Sequence, residues 1–268
     1  MHLKRTQLRW FRAICAGALV VLLAGTVAIA QHYLLSPPVK AGRASTDTIS
    51  LHTAEGQRLL AESDARVDYP GLAAHFVGQS RRSFCGPATA VTTLNALRPE
   101  QAPLDQRTFF SAPHFNRLAP FKLSFTGMSL RQFAESLRAH NAEVAMVYAS
   151  DAEMAEFRSV AQRNLQSRGD FLLVNYQRAV LGQEPSGHIS PIAAYHAGTD
   201  RLLILDVAAH KYPPVWVSVE ALWKAMHQPL NPETSRTRGY VVVGMRSHAK
   251  AAPDQKPSSV LSNEPKVR

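Results

Sequence analysis

An unbroken apolar run, ICAGALVVLLAGTVAIA, follows Lys4, Arg5, Arg9 and Arg12, and no charged residue falls within residues 13–30. A basic stretch ahead of an apolar one is the layout of an export signal, and Ala28 and Ala30 before Gln31 supply the small-x-small pattern of a signal peptidase site. The run is also near the minimum length for crossing a bilayer, so cleavage and retention as an anchor both stay open. Either way the body is expected outside the cytoplasmic membrane, periplasmic or otherwise extracytoplasmic.

Beyond that segment the pattern changes. Residues 31–50 hold Pro37, Pro38 and a Ser/Thr cluster and read as a linker, and residues 247–268 have prolines, serines and no periodicity, the signature of a disordered tail. The folded body is expected over residues 51–246. Helical spacing predicts helices over 85–97, over 129–140 capped by Ser129, and over about 151–167. Runs rich in β-branched and aromatic residues predict strands over 143–149, 171–176, 188–197, 201–207 and 240–245. Helices grouped first and strands mostly later indicate an α+β fold, a helical lobe packed on a mostly antiparallel sheet.

Charge and cysteine content narrow the function classes. The formal net charge of +10 comes largely from the ends, since residues 31–246 hold 22 cations against 18 acids. With no lysine-rich stripe and no zinc-finger or RNA-binding motif, nucleic acid is not expected as a partner. There are two cysteines. Cys15 lies in the export segment, so the body has Cys85 alone, and a lone thiol in an oxidising compartment is a liability unless buried or used.

The surroundings of Cys85 favour use. The chain reads GQSRRSFCGPATAVTTLNAL, and Pro87 suits a first helical turn, which puts Cys85 at a helix N-terminus where free amides and the macrodipole favour a thiolate. Arg81 and Arg82 add positive potential. Gln79, six residues upstream, has the spacing of an oxyanion-hole glutamine that works with the Cys85 backbone amide. A base comes from GHISPIAAYHAGTDRLLILDV, where two apolar stretches flank a Gly-Thr-Asp turn and form a hairpin. Pairing about Gly198 and Thr199 sets residue 188 opposite residue 209, with Asp206 on the diagonal, and a bulge could close the gap between Asp206 and His188.

Those two blocks, with KYPPVWVSVEALWKAM, GMSLRQFAESL, NYQRAVLGQEPSGH and TRGYVVV, resemble the catalytic domain of the phytochelatin synthase family, bacterial type, in the papain-like cysteine peptidase clan. The resemblance implies a papain-like fold and assigns Cys85 as nucleophile, His188 as base, Asp206 as its orienting acid and Gln79 as oxyanion donor. It implies substrate contacts at Arg238, Gly187 and Gly86. An arginine of the family stands where this chain has Ala209, and the cysteine-rich C-terminal region of the plant enzymes has no counterpart, since no cysteine follows Cys85.

The implied substrate is glutathione. Cys85 would attack its Cys–Gly carbonyl, release glycine and leave a γ-glutamylcysteinyl thioester, resolved by water to γ-glutamylcysteine or by a second glutathione to phytochelatin. No cofactor is implied for the chemistry, and no resident metal site; Cd²⁺ or Zn²⁺ would enter as a heavy-metal thiolate of glutathione. Two rivals stay in view: a papain-clan peptidase acting on another peptide, and a non-catalytic thiol module for heavy metals. A membrane anchor and a homodimer also remain open.

Overall fold

A computed structural model describes residues 2–40, 42, 47–229 and 236–245. The tail expected over 247–268 lies outside the described residues. Eight α-helices are described: α1 His2–Leu34, α2 Ala54–Glu62, α3 Tyr69–Ala74, α4 Cys85–Leu97, α5 Ala119–Thr126, α6 Leu130–Ala139, α7 Met154–Gln166 and α8 Val219–Met226. The strands are β1 Ile49–Ser50, β2 Ala142–Tyr148, β3 Asp170–Gln177, β4 Gly187–His196, β5 Arg201–Ile204, β6 Val215–Ser218 and β7 Gly239–Met245. They form one sheet in the order β1-β6-β5-β4-β3-β7-β2. Each recorded pairing is antiparallel. The α+β reading therefore holds, and each helix and strand expected in the body is present within a few residues of its expected ends.

Strand periodicity explains how the sheet gathers two cores. Along β3, Phe171 and Leu173 belong to one apolar cluster and Leu172, Val174 and Tyr176 to the other. Successive side chains point to opposite faces, so a strand buried on both sides needs an apolar residue at nearly every position. On the first face lie α4 and α6, through Val91, Leu94, Leu130, Phe133 and Leu137. On the second lie α7 and α8, through Phe157, Leu165, Leu222 and Met226. The third expected helix thus packs on the far side of the sheet from the cysteine helix. Each of these buried side chains contributes about 1.5–3 kcal/mol relative to leaving it in water.

Helix α4 is buried along its length from Cys85 to Asn95. Its small residues let it lie close to β4, and Thr89 Oγ1 donates to the Ile189 carbonyl at 2.9 Å. Helix α6 starts on a capping box in which Ser129 and Gln132 each bond the other's backbone amide. It buries Leu130, Phe133, Ala134 and Leu137, an i, i+3, i+4, i+7 stripe.

The stretch read as a linker is partly bound to the body. α1 runs through Leu34, the amides of Lys40 and Gly42 donate to the carbonyls of His210 and Lys211, and β1 pairs with β6. The β1 pairing follows from β6 having an edge whose carbonyls and amides need partners. The tolerance of residue 42 for this approach is glycine's, since a Cβ there would stand 2.2 Å from the Tyr212 ring.

Candidate active site

The β4–β5 hairpin sets the first half of the site. Ile192 pairs with Ile204 but Ala194 with Leu203, so a bulge sits between Ile192 and Ala194. That extra residue shifts the register and brings Asp206, just past the end of β5, against His188 near the start of β4: Oδ1 lies 2.9 Å from Nε2. Both side chains are buried. Ser190 Oγ is also 2.9 Å from Nε2. With Nε2 engaged by Asp206 and Ser190, Nδ1 is the other ring nitrogen available to a partner. Tyr176, directly across the ladder from His188, meets its ring edge-on at 5.6 Å between centroids.

Cys85 is the first residue of α4 and is buried. Burial pushes its thiol pKa up, while backbone hydrogen bonds from Ile189 and Gly86 and the positive charge of Arg178 pull it down, and burial wins. Burial thus opposes the thiolate that the helix N-terminus favours. His188 is driven the same way: burial and the Arg178 charge lower its pKa to about 4 in spite of Asp206. Both shifts favour the neutral thiol and the neutral imidazole, a pairing that suits proton transfer from sulfur to a base during attack. Asp206 is pushed up by burial, yet the attraction of His188 and Arg178 prevails and holds it well below the usual carboxylate range.

Arg178 was not singled out from the sequence. Its Nη2 donates to Asp206 Oδ1 at 2.7 Å, and both side chains are almost fully buried. A second partner is Gln183 Oε1, and its guanidinium lies over the Tyr212 ring at 4.5 Å. Burial opposes its charge, but Tyr176 and Asp206 outweigh that and raise its pKa. One signal was available: a cation placed directly after the buried strand DFLLVNYQ needs a buried anion, and Asp206 after LLIL needs a cation.

A cavity of about 700 Å³ joins these parts. Gln79, Cys85, Gly187, His188 and Arg238 line it, as expected, and so do Arg82, Met128, Asn175, His210, Lys211 and Tyr212. Asp206 stands behind His188, out of the lining. Gly86 is also absent from the lining: it is buried in α4, and a Cβ there would come within 2.6 Å of Met128 Sδ. Its smallness makes room for Met128. Gly187 does the same for Arg238, whose Nη2 would be 3.2 Å from a Cβ at that position. Arg238 is itself held by the carbonyls of Gln228 and Pro229, 3.2 and 2.7 Å from Nη1.

Gln79 lies in the cavity wall with its donor occupied. Nε2 donates to the carbonyls of Arg81 and Arg82 at 3.1 and 2.7 Å. Its own amide donates to the Val207 carbonyl at 2.7 Å, which ties the loop before Cys85 to the segment after Asp206. No group of three or more His, Cys, Asp or Glu side chains among the described residues is disposed to hold a metal ion.

The family model described as phytochelatin synthase matches residues 40–240. The chain belongs to that family. Similar curated proteins include glutathione gamma-glutamylcysteinyltransferase 3 of Lotus japonicus, 31% identical over 211 residues, covering 76% of this chain and 44% of the relative. Another is glutathione gamma-glutamylcysteinyltransferase 1 of Triticum aestivum, 33% identical over 214 residues, covering 76% of this chain and 42% of the relative. This phytochelatin synthase family member therefore spans less than half the length of those relatives. Among solved structures, the cysteine protease xylellain from Xylella fastidiosa matches at 11% identity and a TM-score of 0.40, covering 78% of this chain and 100% of that one. A likeness that weak carries no argument about this chain.

Proposed function

We propose that this chain is a glutathione γ-glutamylcysteinyltransferase and glutathione hydrolase that works through a thioester on Cys85. The observation that carries the reading is the cavity itself: the Cys85 thiol and His188 line it, with Asp206 behind the imidazole, in a chain whose named relatives are glutathione gamma-glutamylcysteinyltransferases. Its volume is within the range of small-molecule sites, about 300–1,000 Å³.

His188 Nδ1 takes the thiol proton as Cys85 Sγ attacks the Cys–Gly carbonyl carbon of glutathione. Asp206 stabilises the imidazolium so formed, and Arg178 keeps Asp206 ionised and in place. The oxygen that gains charge is held by the Cys85 backbone amide, joined by Gln79 once its amide releases a loop carbonyl. Collapse breaks the C–N bond, the His188 proton goes to the leaving nitrogen, and glycine departs. Water or the amine of a second glutathione then attacks the thioester, losing its proton to His188 and restoring the thiol. Arg238, held beside Gly187, offers a cation for a substrate carboxylate. Cd²⁺ or Zn²⁺ enters on the second glutathione as its thiolate, as part of the substrate. The body works on the outer side of the cytoplasmic membrane, delivered by a cleaved signal or held by α1.

Purified protein given glutathione should release free glycine, detected by mass spectrometry, and Cys85→Ser should abolish that release while leaving the circular dichroism spectrum unchanged. Turnover by Cys85→Ser at the wild-type rate would end the thioester mechanism, and cleavage of peptides without cleavage of glutathione would favour the peptidase reading.

A further inference from the structure

Among the described residues, the apolar surface of α5 is met by α1 at Phe125, through Tyr33, and the rest of it stays open. Leu118, Phe121 and Phe125 are all largely exposed, at the cap of α5, its third residue and its seventh, which is one helical face. The opposite side of α5 is tied down: Leu123 and Ser124 are buried, and Arg81, in the loop before Cys85, donates to Ser124 Oγ at 2.8 Å and to the Pro120 carbonyl at 3.3 Å. Arg117 and Lys122, both exposed, frame the apolar face with positive charge. Leu35 and Val39, just past the end of α1, add two more exposed apolar side chains.

A second observation says what covers this face. Residues Arg9–Leu34 form a helix long and apolar enough to cross a membrane, with mean hydropathy 2.5 over its most apolar 18 residues and none of that stretch buried in the protein. Trp10 and Tyr33 lie near its two ends, about 35 Å apart along the axis, a separation that puts an aromatic at each face of a hydrocarbon core about 30 Å thick. The Tyr33 ring packs on Phe125 of α5, centroids 4.8 Å apart. The end of α1 that reaches the membrane surface is thus the end that touches the exposed aromatic face.

We infer that α5 is an interfacial helix, lying on the bilayer leaflet from which α1 emerges, with Leu118, Phe121 and Phe125 among the acyl chains and Arg117 and Lys122 among the lipid headgroups. Phe125 and Thr126 also line the Cys85 cavity, so this docking fixes the cavity at the membrane surface. The inference rests on α1 being retained as an anchor, one of the two fates proposed above.

The full chain tests it, carrying Cys15→Ser and Cys85→Ser, with a single new cysteine bearing an environment-sensitive fluorophore, reconstituted into phosphatidylcholine vesicles with or without brominated acyl chains. Phe121→Cys and, in a separate protein, Leu118→Cys report on α5. Ser159→Cys, exposed on α7 across the sheet, is the reference. Bromolipid quenching at 121 and 118 should exceed that at 159 by about twofold or more, as for side chains at the headgroup–acyl boundary. Equal quenching at all three sites, in protein that floats with the vesicles and resists carbonate extraction, would overturn the interfacial helix and leave the anchor intact. Protein extracted by carbonate would overturn the anchor and the inference with it. A label at 121 shielded in a detergent-solubilised dimer, and unquenched by lipid, would instead make this face a contact between two copies.

Discussion

At the scale of single residues, the chemistry turns on one buried cation. Arg178 lowers the pKa of His188 and, with His188, that of Asp206. Because the His188 pKa is depressed to about 4, the unfolded chain binds a proton before the folded one does as pH falls. Stability from this group is therefore present above the ordinary imidazole range and lost as pH drops from that range toward 4. The base also stays neutral across the window. The expected profile of kcat/KM for glycine release is flat through the usual imidazole range, with its acid limb nearer pH 4. Arg178→Met should move that limb upward, since a positive charge beside the imidazole is gone, and should destabilise the fold by about 3–5 kcal/mol, the cost of breaking a buried pair. A wild-type limb in the ordinary imidazole range, unmoved in Arg178→Met, would contradict the arrangement.

Another residue bears on which acceptor wins. Ala209 is exposed, and its neighbours Ala208 and His210 line the cavity. Of the cations that could take the place of the arginine that the family resemblance implies at position 209, Arg236 lies over the Tyr148 ring, outside the cavity lining, and Arg238 is held by two backbone carbonyls. Lys211 lines the cavity and is paired with Glu184. A second glutathione needs its carboxylates gripped, whereas water needs no such site. Hydrolysis to γ-glutamylcysteine should accordingly dominate, with phytochelatin rising as glutathione rises, and Ala209→Arg should increase the transfer fraction. Product ratios at several glutathione concentrations, with and without Cd²⁺, measure this, and a phytochelatin majority at low glutathione would sink it.

At the scale of elements, the site depends on holding α4 to β4. Thr89 makes the direct polar link, its hydroxyl on the Ile189 carbonyl next to His188. Thr89→Val keeps the shape and removes the donor, so a stability loss of about 1–3 kcal/mol is expected from the unsatisfied buried carbonyl, read by chemical denaturation, with kcat falling more than KM rises. Elements were also where the sequence was most legible. The cysteine helix, the Ser129-capped helix and the hairpin each carried a local signal: a proline in the first turn, a capping box, a Gly-Thr-Asp turn. A bulge of the kind that could close the gap between His188 and Asp206 is present between Ile192 and Ala194. The strand β6 and helix α8 carried no separable signal, because the β-branched run VWVSV crosses their boundary at the Ser218 cap. Arg178 and the spent donor of Gln79 were hidden for another reason: burial and hydrogen-bond partners are set by packing across the sheet, not by neighbours in sequence.

At the scale of the whole molecule, charge about the apolar segment decides which side of a membrane the site faces. Lys4, Arg5, Arg9 and Arg12 precede the segment, and cations flanking a membrane helix are retained on the cytoplasmic side. Among the described residues no other helix is long and apolar enough to cross, and on the proposed export reading the body that follows would lie on the far side. In such a compartment a lone thiol would meet oxidants, and Cys85 is buried at the start of α4. A reporter active only after export, fused after Arg246, should therefore be active, and one that fluoresces only when folded in the cytoplasm should be dark. Replacing the four leading cations with glutamine should weaken that bias and raise the cytoplasmic signal. Strong cytoplasmic fluorescence from the unaltered chain would place Cys85 in a reducing compartment, and would remove both the export reading and the membrane face assigned to α5.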